Sequence, residues 1–182
     1  MEFDIKFRAF KKGDEVFINS LRQNEEMESK IGGSKIFVSI DREAKWVEDI
    51  IMKDSASVMY FAITEKDSDE IIGYTSISDI DYRNGKCFWS GIKLSPSVSG
   101  KGYGFQTALK VLKYVFEELR MVRCIGNCQE FHSAALNLML KAGYKKEGLM
   151  RKYLYKNGEY INTWLLSMTD DEYKEVKKEN NL

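Results

Sequence analysis

The stretch Leu94-Ser95-Pro96-Ser97-Val98-Ser99-Gly100-Lys101-Gly102-Tyr103-Gly104-Phe105 constrains this chain more than any other. It carries three of the 13 glycines and the only proline. It stands between a strand pattern, Cys87 to Leu94, and a run at helical spacing, Phe105, Ala108, Leu109, Leu112, Val115, Phe116 and Leu119. Glycines let a backbone come close to a ligand, and a helix start offers unpaired N–H groups at the positive end of its dipole. A strand, glycine turn and helix in this order therefore suit a diphosphate without requiring basic side chains. Two familiar versions fail on spacing. G-x-G-x-x-G would need glycine at Phe105 or Thr107, and a Walker A loop needs a G-K-[ST] that the chain lacks. Taken alone, the turn also suits plain structural punctuation.

On either side of it strand and helix signals alternate. Phe3, Ile5 and Phe7 alternate with Asp4 and Lys6 and predict a first strand. A polar helical stretch runs from Gly13 to about Ser29, a loop sits at Gly32-Gly33, and Ser39 or Asp41 caps a helix striped by Ile40, Ala44, Val47 and Ile51. Val58 to Thr64 is a nearly continuous apolar run, as expected of a strand covered on both faces. Ile71 to Ile80 and Cys87 to Leu94 make a hairpin around Asn84-Gly85. Val122 to Gln129 reads as a strand, and Ala135, Leu138, Met139 and Ala142 mark a short helix ended by Gly143. Tyr144 to Tyr155 and Tyr160 to Met168 close the chain as a hairpin around Asn157-Gly158. With no repeat and no low-complexity linker, the pattern predicts one α/β domain over residues 1–182, a mixed sheet of six to seven strands flanked by helices. Residues 169–182 read as a polar C-terminal tail, a surface helix or a frayed end.

Composition narrows the partners. The 28 Lys and Arg cancel the 28 Asp and Glu, which argues against a nucleic-acid partner. No segment reaches the roughly 18 apolar residues of a membrane span, and Met1 to Lys12 alternates charged with apolar residues. A cytoplasmic protein with no membrane partner is the expectation. Cys124 and Cys128 on one strand would sit about 13 Å apart, too far for a disulfide, so the three cysteines read as small buried hydrophobes. With His132 the only histidine, no metal site is expected.

The order strand, hairpin strand, Ser99-Gly100-Lys101-Gly102-Tyr103-Gly104, helix, strand, short helix, Lys141-Ala142-Gly143-Tyr144 and closing hairpin resembles the GNAT superfamily of acyl-CoA-dependent N-acetyltransferases. Glu147-Gly148-Leu149-Met150-Arg151 and Tyr155-Lys156-Asn157-Gly158-Glu159-Tyr160 are similar to its ribosomal-protein N-terminal and spermidine acetyltransferase branch. The family turn R/Q-x-x-G-x-G/A keeps its glycines here, with Ser99 in the lead position. This resemblance implies the GNAT fold and acetyl-CoA as cosubstrate. It places the backbone of Ile92, Lys93 and Leu94 beside the pantetheine arm. It puts Ser99, Gly100, Lys101, Gly102, Tyr103, Gly104 and Phe105 around the diphosphate, and His132 where the family has a cofactor-contacting Asn.

The family's catalytic pattern is missing. Positions that hold a carboxylate base in many relatives read Trp89 and Asn127, and the position of the tyrosine acid reads Met139. His132 and Asn127 are then the catalytic candidates, His132 as a proton-transfer group or as a neutral cofactor contact. Asp79 and Asp81, near a hairpin tip, either select a cationic amine or form a solvated turn. Trp89, with Phe88, either lines the acceptor pocket or packs in the core. Two functions follow: transfer of an acetyl group to a primary amine of a small molecule or peptide by direct attack, or acyl-CoA binding with little turnover. Peptide N-terminus, polyamine, amino sugar and amine antibiotic all stay open as acceptors, and the family implies a homodimer as one arrangement.

Overall fold

The computed structural model describes residues 2–30, 36–53 and 55–182, so the Gly32-Gly33 loop lies outside the described residues. Seven strands form one sheet: β1 (Ile5–Arg8), β2 (Met59–Glu65), β3 (Ile71–Asp81), β4 (Lys86–Leu94), β5 (Arg123–Gln129), β6 (Lys145–Lys156) and β7 (Glu159–Thr169). Their order is β1-β2-β3-β4-β5-β7-β6, antiparallel throughout except for the β4–β5 pair.

One face carries α4 (Tyr103–Lys113), α5 (Ser133–Lys141) and α6 (Asp170–Asn180). The helical spacing read around Leu109 is what docks α4. Ala108, Leu109, Val111 and Leu112 are fully buried against Ile77, Cys87, Cys124 and Leu166, at about 2 kcal/mol for each large apolar side chain. The other face carries α1 (Asp14–Gln23), α2 (Glu25–Lys30) and α3 (Ile40–Met52), over a second cluster that includes Ile18, Val47, Ala62 and Tyr74. Ser39, not Asp41, caps α3, accepting from the Arg42 amide.

One element differs from expectation. The polar stretch after Gly13 is two helices, because the Asn24 side chain accepts the Met27 amide and starts a new helix where one continuous helix was expected. Of the two readings of the C-terminal segment the helix holds: Thr169 and Glu172 form a reciprocal capping box, and Tyr173 and Val176 are buried.

The feature that opens the sheet is a bulge in β4. Thr75 and Ile77 of β3 face Ile92 and Trp89, so β4 holds one extra residue at Ser90-Gly91. Gly91 has φ 83°, a left-handed conformation that L side chains avoid. The Thr75 hydroxyl donates to the Gly91 carbonyl at 2.7 Å and accepts from the Trp89 indole N–H at 2.9 Å, which pins the bulge from both sides. Accordingly β4 pairs with β5 only over Lys86, Cys87 and Phe88, and the strands separate beyond.

Candidate active site

Two cavities meet where β4 and β5 part. The larger, about 730 Å³, runs from Trp89 and Leu94 across Ser99, Gly100, Gly102, Tyr103, Gly104 and Phe105 to α5. The smaller, about 230 Å³, lies toward Lys93, Gln129 and Leu154. They share Met27, Gly91, Ile92, Asn127, His132 and Ala135, so a group placed at this boundary is reachable from both sides.

The turn presents backbone to the larger cavity. Gly100 and Gly102 are left-handed at φ 80° and 78°, and a Cβ at either would meet nothing within 4 Å, so an open cradle faces outward. Its side chains are tied back. The Lys101 ammonium pairs with Glu65 at 3.1 Å and the Tyr103 hydroxyl donates to the same carboxylate at 2.9 Å. These hydrogen bonds hold the Glu65 carboxyl below its ordinary pKa. Gly102 starts α4, its carbonyl accepting from the amides of Phe105 and Gln106. A diphosphate meets N–H groups at this helix start.

Sequence reasoning missed three contributions. Asn137 and Lys141 line the larger cavity from α5, and their spacing from Ser133, four and eight residues on, was the available signal. Lys141 holds its ammonium 4.5 Å from the centre of the Phe105 ring, putting a cation at the turn. Gly91 was also missed; an isolated glycine inside a strand pattern is the usual trace of a bulge.

Of the expected site residues, Ile92 lies at the shared boundary, Leu94 and Ser99 on the larger cavity and the Lys93 side chain on the smaller. Asn127 and His132 border both. Trp89 follows the core-packing reading: it is buried and stacks on Tyr144, and the cavity that it lines is the larger, not the smaller. Met139 reaches the larger cavity with a thioether in place of an acid, and Tyr144, the nearest phenol in sequence, turns its hydroxyl to the Cys124 sulfur at 3.1 Å. All three cysteines are free and buried. The hydrogen bond with Cys124, then burial, push the Cys87 thiol upward, and burial pushes Cys128 up to about 11, so neither is a thiolate at neutral pH.

Asp79 and Asp81 lie elsewhere. The pairing Asp81↔Lys86 puts them at the closed end of the β3–β4 hairpin, where Asp81 accepts from the Asn84 side chain at 2.7 Å and its amide at 3.0 Å; neither aspartate lines either cavity. Exchanging both for Asn is expected to leave Michaelis constants for a polyamine and a peptide amine unchanged even at low salt. A selective rise for the polyamine would return them to the site.

Residues 4–145 match the model of the acetyltransferase (GNAT) domain. The chain belongs to the GNAT acetyltransferase family. An uncharacterized SPbeta prophage-derived N-acetyltransferase of Bacillus subtilis is 27% identical over 171 residues, 94% of this chain and 93% of that protein. The [ribosomal protein uS5]-alanine N-acetyltransferase of Escherichia coli is 23% identical over 64% of this chain and 60% of its own. In fold, a crystal structure of the Vibrio cholerae spermidine N-acetyltransferase in complex with CoA and spermine superposes at a TM-score of 0.84. It covers 94% of this chain and 98% of the other at 20% identity. As a GNAT acetyltransferase the chain uses acetyl-CoA and is an N-acetyltransferase. Among the described residues no helix is long and apolar enough to cross a membrane.

Proposed function

We propose that acetyl-CoA lies along the larger cavity, diphosphate on the Gly100–Phe105 turn and thioester at the boundary, and that a primary amine enters through the smaller cavity and attacks directly. The observation that carries this is the shared wall of Gly91, Ile92, Asn127 and His132, where the two cavities join. The amine nitrogen adds to the thioester carbonyl carbon, the C–N bond forms, the C–S bond breaks, and the sulfur leaves as thiolate to take a proton. No covalent enzyme intermediate is involved, in keeping with thiols that burial keeps protonated.

Met139 and Trp89 supply no proton at the larger cavity, and the Asn127 carboxamide hydrogen-bonds without taking one. Deprotonation of the ammonium then runs through water, and the rate rests on positioning more than on a strong base. His132 acts as a neutral contact at the start of α5, where the family has Asn. In His132→Asn turnover is expected to stay within a fewfold of wild type. A pH–rate profile checks it: a general base contributes about 10²–10⁴-fold, so a collapse of that size with acetyl-CoA affinity intact would reassign His132 to proton transfer.

Release of the CoA thiol across an amine panel tests the function itself; tight acetyl-CoA binding with no release for any amine would favour a binding module. The same reading places the protein in the cytoplasm, where three unpaired thiols are at home, and gives it a homodimer to be checked by light scattering.

A further inference from the structure

The smaller cavity has an unusual charge pattern. Its lining, which includes Lys93, Asn127, Gln129 and His132, contains no carboxylate among the described residues. Lys93 is half-buried there. Its ammonium donates to the Tyr74 hydroxyl at 2.8 Å, stands 4.8 Å from that ring's centre and forms no ion pair among the described residues. Other inward-facing cations of this chain do meet carboxylates: Arg8 meets Asp14, Arg22 meets Glu43, and Lys156 meets Glu28. The carboxylates near Lys93, Glu43 of α3 and Glu28 of α2, are thus engaged by Arg22 and Lys156. A half-buried cation whose direct hydrogen bond goes to a phenol, with the nearby carboxylates engaged elsewhere, invites an anion.

An independent observation comes from the neighbouring strands. Gln129 of β5 and Thr163 of β7 are direct cross-strand partners, so their side chains stand together on one face. Strand alternation puts that face on the side of Asn127, and Gln129 lines the smaller cavity. Gln129 is 5% exposed and Thr163 fully buried, yet neither the two carboxamide atoms nor the hydroxyl has a hydrogen-bond partner among the described residues. Buried polar groups without partners are rare in folded proteins, and here one of them, the Gln129 carboxamide, lines the cavity that bears Lys93.

We infer that the amine acceptor carries a carboxylate: Lys93 pairs with that carboxylate, the Gln129 carboxamide N–H donates to it, and the amine projects toward Asn127 and His132. The inference rests on the acetyltransferase reading above and names the acceptor class, a small amino acid in the chemical sense. Burial and the neighbouring Arg22 push Lys93 down to about 8, against Glu28 and Glu43 acting the other way, so the ammonium keeps its charge in most molecules at pH 7. The same cation repels a polyamine.

The test uses the full chain with glycine, leucine and glutamate, each beside its amide, and spermidine. CoA-thiol release gives turnover, and calorimetry in the presence of CoA gives binding. Wild type is expected to favour acids over amides and spermidine by tenfold or more in both readouts at pH 7. Lys93→Met is expected to bring acid and amide within about threefold of each other relative to wild type. Gln129→Leu is expected to weaken acid binding about tenfold while the melting temperature holds or rises, since no protein hydrogen bond is lost. Turnover with amides or spermidine preferred would overturn the inference while leaving the acetyltransferase reading intact. Preferential acid binding without turnover would support the inference and count against that reading. Undiminished acid preference in Lys93→Met, or unchanged acid binding in Gln129→Leu, would overturn the assignment.

Discussion

Valine at Gly102 is expected to lower acetyl-CoA affinity about 10²-fold while the chain still folds. The turn meets the diphosphate with backbone N–H groups, and a hydrogen bond to a charged oxygen contributes about 1.5–3 kcal/mol, so losing one or two amounts to roughly that factor. Gly102 has φ 78°, which for a β-branched residue costs about 1–2 kcal/mol. No protein atom lies within 4 Å of a new Cβ, so the strain is local and the α4 core of Ala108, Leu109, Val111 and Leu112 is left in place. Isothermal calorimetry with acetyl-CoA, paired with a melting curve, separates the two effects. Undiminished affinity in a folded variant would remove the diphosphate from this turn.

The second large effect belongs to Gly91. In Gly91→Val the left-handed bulge becomes strained by about 1–3 kcal/mol, and a chain of this size loses about 2–4 °C of melting temperature per kcal/mol. The functional loss should exceed the loss of stability. Gly91 borders both cavities, its Cβ would point into open space there, and its carbonyl is the anchor of the Thr75 hydroxyl. A shift of about 1 Å between two reacting groups can cost about 10² in rate, so kcat/KM is expected to fall by that order even in the folded fraction. Wild-type turnover in the variant would show that the bulge does not set the geometry of transfer.

Much of this molecule was legible before folding. Alternation, apolar runs bounded by turn signals, and helical spacing located all seven strands and the amphipathic helix α4, because local propensity and burial agree along those segments. Asn157-Gly158, left-handed at φ 52° and 87°, turned the closing hairpin where the sequence placed it, since few dipeptides accept two positive φ angles. The glycine turn was equally plain, because its function uses backbone and its signal is the lack of side chains. The Asn24 break was less so: one polar side chain decides it, against helical propensity on both sides.

What the sequence determined alone was the order of elements, the family resemblance and the backbone cradle, all set by residues near one another in the chain. Tertiary structure decided which side chains share a cavity. Lys93 stands across the splay from Gln129, 36 positions on, and Thr163 is 34 further; the β5–β7 register, not spacing, makes the last two neighbours. The splay of β4 from β5 put the cavities at the end of β4 away from the hairpin tip that holds Asp79 and Asp81, and packing turned the Tyr144 hydroxyl to the Cys124 sulfur. Position along a strand sets a face and a depth, but only the pairing of strands distant in sequence settles what a charge or a carboxamide there will meet.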